Sequence, residues 1–343
     1  MKKGSLAHIR LKQESIMRKR RRRKRIIKNR NKRVKKHERV NRTKNNNPYN
    51  APYEAFAPSD FSINNIDGIV SFLVKTDNVC RKNKVKILKV NLDNVTRIDA
   101  YAISLMLSLL NRLSCRRINY WGTYPDDEYC KQYIINSGFL DVMKTNIKRP
   151  SNRRTGSQIF MIGKDSVDSH RIGRAVRESM VYLTGKEEPY PPVYDDMLEV
   201  SANSVEHANS NAIEKNWLVS ITLEQGKIHF VLTDTGQGIL ATLKKKATQQ
   251  LKDAFLKSDA DVLRDVFMKL YQSITGEKNR HKGLPIILES LTDGFISDLQ
   301  VLTNKVLYNF GTNTPVQLKK GYNGVLYSWT ISIENYNNWK NSL

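Results

Sequence analysis

The sequence predicts an α/β protein: two folded regions behind a basic N-terminal arm. Three observations carry this. Between residues 66 and 138, apolar residues at helical spacing alternate with short runs rich in Val, Ile and Leu, a β-α-β-α order. Further on, an apolar run is broken in its middle by Glu224-Gln225-Gly226-Lys227, which reads as a β-hairpin. Finally, residues 1–46 hold 21 Lys or Arg against two acids, Glu14 and Glu38, a net of +19, so little of the chain's +25 belongs to the rest.

The arm comes first in the chain. Its densest part is Arg18-Lys19-Arg20-Arg21-Arg22-Arg23-Lys24-Arg25. With few aliphatic and almost no aromatic residues it cannot bury a core, so residues 1–48 are expected to be disordered. Such a run binds nucleic acid by counterion release, binds an anionic membrane surface, or is simply a solvated tail or an extension upstream of a start at Met17. It contains no base-reading module, so nucleic-acid binding through it is expected to be sequence-tolerant. Amides, prolines and small residues from Asn45 to Ser59 read as a linker.

The first folded region is expected over residues 49–165. Helical patterns run over Ile66–Val79, Asp99–Leu113 and Asp126–Ser137, the last stopped by Gly138. Strand patterns run over Val85–Leu92 and Arg117–Gly122. Together they predict a small parallel or mixed sheet backed by helices. The second region is expected over residues 166–343. It contains a helix around residue 200, then the hairpin, whose second strand runs from Ile228 to Thr233. Helical spacing of Leu243, Ala247, Leu251, Ala254 and Phe255 follows.

Composition narrows the class. The 343 residues fit two domains, and 39% hydrophobic content supports a core. No apolar run approaches the ~20 residues that span a bilayer. A signal peptide is not expected, because the charged N-terminus lacks an apolar stretch. Cys80, Cys115 and Cys130 have no metal-site spacing and read as reduced thiols. A cytoplasmic protein is the expectation.

The candidate chemistry lies in two segments. Glu199, Asn203 and His207 are spaced by four, which on a helix stacks a carboxylate, an amide and an imidazole along one face. Each alone reads as a surface residue; the stripe reads as a base, a ligand for a hard cation and an orienting ring. The second segment is Asp234-Thr235-Gly236-Gln237-Gly238. An acid at a strand end followed by spaced glycines lets a flat ligand reach the carboxylate while the backbone comes close. His281-Lys282-Gly283-Leu284-Pro285 then reads as a turn opening a helix.

These segments resemble the N box, first glycine box and second glycine box of the GHKL family of ATP-binding domains, in the family's order. The family includes histidine kinases, anti-sigma-factor serine kinases, type II topoisomerases and a class of chaperones. The resemblance covers about residues 172–333. It implies an α/β sandwich, a mixed sheet with helices on one face, that holds ATP with Mg²⁺. It implies Glu199 as general base and Asn203 as the Mg²⁺ ligand. Asp234 would accept a hydrogen bond from the adenine amino group. Gly236 and Gly238 would lie beside the nucleotide, and Lys282, Gly283 and Leu284 at the phosphates. Residues 240–282 would be the lid. His281 stands where the second box has its first glycine. The late Gly-Thr of the family is not matched: Gly324-Val325 stands at the expected strand start, and Gly311-Thr312 comes earlier.

The first region resembles a STAS-type domain, carried by Leu88-Lys89-Val90-Asn91-Leu92, Ile98-Asp99-Ala100 and Ser137-Gly138-Phe139-Leu140. Phosphorylated members have Ser or Thr where this chain has Ala100, so a docking role rather than a phosphorylation switch is implied. The N box looks most like that of the anti-sigma serine kinases. The expectation is therefore an ATP- and Mg²⁺-binding regulator with slow ATPase or serine kinase activity, working through a protein partner of the partner-switching type. Two alternatives stand beside it: an ATP-hydrolysing component of a defence or nucleic-acid-associated system tethered by its arm, and a non-enzymatic ATP-bound scaffold. A homodimer is left open.

Overall fold

Asp99 caps the helix that organises the first region. Its two carboxylate oxygens accept from Ala102 N at 2.9 Å and Ile63 N at 2.7 Å, taking up an amide that the first helical turn leaves orphaned. The computed structural model describes residues 51–140, 153–155, 158–163, 166–207, 217–245, 257–268 and 283–343. The arm lies outside these residues, as do Lys282 and much of the stretch read as a lid.

In the first region β1 (Tyr53–Phe56) and β2 (Asp60–Phe61) lead into α1 (Ile66–Lys82). Then follow β3 (Ile87–Asn91), β4 (Arg97–Ile98), α2 (Ala100–Cys115), β5 (Asn119–Gly122) and α3 (Glu128–Asn136). β1, β3 and β5 form a three-stranded sheet in that order, with both pairings parallel. Ala55, Leu88 and Val90 point to one face and are buried with Ile69, Leu73, Ile103 and Met106 of α1 and α2. One expectation is corrected here: the stretch read as a linker contains β1. Pro52 and Pro58 flank this strand instead of interrupting it, so its ladder to β3 is intact.

The second sheet is built from β6 (Arg153–Thr155), β7 (Gln158–Gly163), β8 (Trp217–Glu224), β9 (Lys227–Asp234), β10 (Ser297–Asn309) and β11 (Thr314–Ser332). Among the described residues its helices are α4 (Ser169–Thr184), α5 (Pro191–His207), α6 (Ile239–Lys245), α7 (Asp259–Phe267), α8 (Gly283–Thr292) and α9 (Ile333–Asn341). The strand order is β10-β11-β9-β8-β7-β6. Its outer strands β6 and β7 come from the stretch assigned above to the first region. The β8–β9 hairpin closes through Gln225 and Gly226, with φ of 51° and 73°, the backbone of a two-residue turn that matches strand twist.

Alternation along these strands makes two buried faces. Val219 and Ile221 of β8, Phe230 and Leu232 of β9, and Tyr327 and Trp329 of β11 join α4, α5, α8 and α9 in one core. On the opposite face, Leu218, Val231 and Leu326 share a core with α1 and α2. Two features of the expected sandwich are corrected. Every pairing in this sheet is antiparallel, not mixed. Helices cover both faces rather than one, because α1 and α2 of the first region pack on the second face. Tyr53–Leu343 accordingly forms one compact unit. No helix among the described residues is long and apolar enough to cross a membrane.

Candidate functional site

Asp234 is the last residue of β9 and is only 7% exposed. Its Oδ1 accepts from Gly236 N at 2.8 Å and Val325 N at 3.0 Å, and its Oδ2 accepts from Ser204 Oγ at 3.2 Å. Three elements therefore meet at one carboxylate: the strand end, the helix carrying Glu199 and Asn203, and β11. Burial pushes the Asp234 carboxyl up to about 6, against the pull of the Gly236 and Val325 amides, the Ser204 hydroxyl and the Arg112 cation. Oδ2, with one donor among the described residues, retains a lone pair for a ligand.

The glycine turn beyond Asp234 is held by β10. Thr303 Oγ1 accepts from Ile239 N at 2.8 Å, and Asn304 Oδ1 accepts from Ala241 N at 3.2 Å. Asn304 Nδ2 donates to the Gln237 carbonyl at 3.0 Å. Gly238 sits at φ +88°, and a Cβ there would lie 2.6 Å from Asn304 Oδ1. Glycine is therefore required by both conformation and space. The same holds for Gly324, at φ +134°, where a Cβ would lie 2.2 Å from the Asp234 carbonyl. Gly324 is not at a strand start as read above. It lies inside the long β11, at a register irregularity opposite β10, and lets that strand pass close to the Asp234 backbone.

Glu199 and Asn203 are one turn apart on α5, both half-buried, and His207 is that helix's last residue. The Asn203 side-chain nitrogen is buried without a hydrogen-bond partner among the described residues. Tyr327 faces this group from β11. Its phenol is raised well above the usual range by burial, then by the charges of Asp234 and Glu199, so both acids are near one ring. Gly283 opens α8, and Leu284 packs at the edge of the second core. α8 lies against α5, where Ser290 Oγ donates to Asp196 Oδ1 at 3.1 Å.

Several residues of this site were not singled out from sequence. Ser204 adjoins Asn203 and is a hydroxyl facing a predicted site acid, a signal that was available. Thr303, Asn304 and the Val325 amide act through β10 and β11, distant in sequence, and no local pattern marks them. Arg112 reaches the site from behind. It donates to the Asn323 carbonyl at 3.4 Å and pairs with Asp77 at 3.5 Å, linking the first region to the strand segment beside Asp234.

Protein-family models gave no match to this chain, and neither did curated proteins.

Proposed function

We propose that the chain is an ATP- and Mg²⁺-binding regulator of the GHKL type, with a STAS-like first region docked on its sheet. The observation that carries this reading is the meeting of α5, the β9 end and β11 at the buried Asp234. A buried carboxylate with a free lone pair, beside glycines that admit close backbone approach, suits an exocyclic amino group on a flat base. Asn203 supplies an amide oxygen once its side chain is turned. Mg²⁺ takes few protein ligands when phosphates and water supply the others, so one amide is a sufficient donor set. Glu199, one turn away, orients a nucleophile. Gly283 and Leu284 offer the phosphates the N-terminus of α8. The bound nucleotide would supply the phosphoryl group and the metal its charge neutralisation.

Asn323, next to Gly324, receives Arg112 from the first region. The reading therefore has nucleotide state set an interaction surface through the docked region and its partner. The test separates binding from turnover. Glu199→Ala retains ATP affinity within a few-fold and loses hydrolysis or transfer, since the carboxylate acts mainly in the transition state. Asn203→Ala weakens Mg²⁺-dependent binding. If the wild type binds ATP but turns over nothing with any partner, the scaffold reading replaces the enzymatic one.

A further inference from the structure

The outer face of the three-stranded sheet has a composition that the ATP site does not explain. Register places Glu54, Lys89 and Trp121 in one row across the strands, with Phe56 beside Asn91 in the next. Contacts confirm that these side chains share a face. Lys89 Nζ pairs with Glu54 at 2.6 Å, Asn91 Nδ2 donates to Glu54 Oε1 at 3.0 Å, and the Lys89 ammonium lies 5.3 Å from the Trp121 ring centroid. The inner face carries Leu88, Val90 and Ala55 against the helices. On the outer face Phe56 and Trp121 stand 60% and 49% exposed. A parallel sheet ordinarily has both faces covered, whereas this face carries two large exposed aromatics on its edge strands.

We infer that this face is a stacking platform for single-stranded nucleic acid. Phe56 and Trp121 sit on the two edge strands, diagonal to one another across β3 and roughly 12 Å apart from backbone to backbone. That is a spacing at which separate bases of one strand can each stack on a ring. The Glu54 carboxylate does not oppose this, being neutralised by Lys89 and held by Asn91. Charge decides between occupants. Residues 1–46, with net +19, end six residues before β1, so the polyanion they attract is brought to a domain with an aromatic face. A second copy would bring the same positive excess and no counter-charge. Duplex hides its base faces and cannot stack on the rings.

The experiment uses the full chain with a short mixed-sequence single strand and its duplex at two salt concentrations. Trp121 is the one exposed tryptophan of four: Trp217, Trp329 and Trp339 are at most 8% exposed. Single strand should quench tryptophan fluorescence, and duplex should not. Trp121→Ala should weaken single-strand binding by about 5- to 150-fold, the range for loss of one base–aromatic stack, and leave duplex binding unchanged. Trp121→Phe should restore most of the loss, and Phe56→Ala should behave like Trp121→Ala. Binding without quenching overturns the inference, as does equal single-strand affinity in wild type and Trp121→Ala. A dimer that Trp121→Ala dissociates would assign the face to a second copy instead.

Discussion

The Ser204 hydroxyl donates to Asp234 Oδ2 across 3.2 Å, joining α5 to the end of β9. Both residues are buried, at 6% and 7% exposure. The bond fixes the helix that carries Glu199 and Asn203 against the acid read as the base-recognition residue.

Ser204→Ala removes one of three donors to a buried carboxylate. The expected loss is about 1–3 kcal/mol of stability, measured by urea denaturation at pH 7.5. A loss of ATP affinity should accompany it, because the freed oxygen is held less firmly toward the ligand. Unchanged stability would mean that the Asp234 charge is met some other way.

The face of the six-stranded sheet that receives α1 and α2 contains hydroxyls as well as apolar side chains. Those of Ser220, Thr222 and Thr233 are buried with no hydrogen-bond partner among the described residues. Such groups oppose the docking of the first region. Thr222→Val and Thr233→Val keep the shape and remove the orphaned hydroxyl, so each should stabilise the protein by about 1 kcal/mol, read as a raised Tm. A lowered Tm for both would show that these hydroxyls are satisfied in solution.

Asp196 lies on α5 one turn before Glu199 and is fully buried against α8. Burial pushes its carboxyl up to about 8, against the Ser290 hydroxyl and with the Asp195 charge adding to the rise. Tyr190 also lies within range of its charge. The folded state therefore keeps a proton that the unfolded state releases near the usual aspartate range. Asp196 contributes stability fully below that range, and the contribution is lost as pH rises to about 8. The slope for one proton is about 1.4 kcal/mol per pH unit. Asp196→Asn should flatten the fall in stability between pH 5 and 8 and be the more stable protein at pH 9. Parallel pH profiles for the two proteins would contradict this.

What was legible in the sequence was local. The helix beginning at Asp99, the Gln225–Gly226 turn and the four-residue spacing of Glu199 and Asn203 each follow from a few adjacent residues. What was not legible depended on pairings distant in sequence. β1 was hidden between prolines, and its ladder to β3 is the only sign of it. Gly324 looked like a strand start because nothing local shows that β11 runs nineteen residues through it. Coverage of the second sheet face was missed for the same reason: its partner helices lie a hundred residues earlier. Asp196 could have been flagged. It falls between Val193, Met197 and Val200 on a buried stripe, where an acid is costly.

Adenine recognition by Asp234 is the central proposal, and nucleotide titration by calorimetry tests it most directly. With Mg²⁺ present, the wild type should bind ATP and bind GTP much more weakly. Asp234→Asn, which keeps the shape but places a donor or a neutral acceptor at the base, should lose about 10- to 150-fold in ATP affinity, the worth of one charged hydrogen bond. ATP binding that is absent in the wild type, or equal in the wild type and a folded Asp234→Asn, would contradict the account.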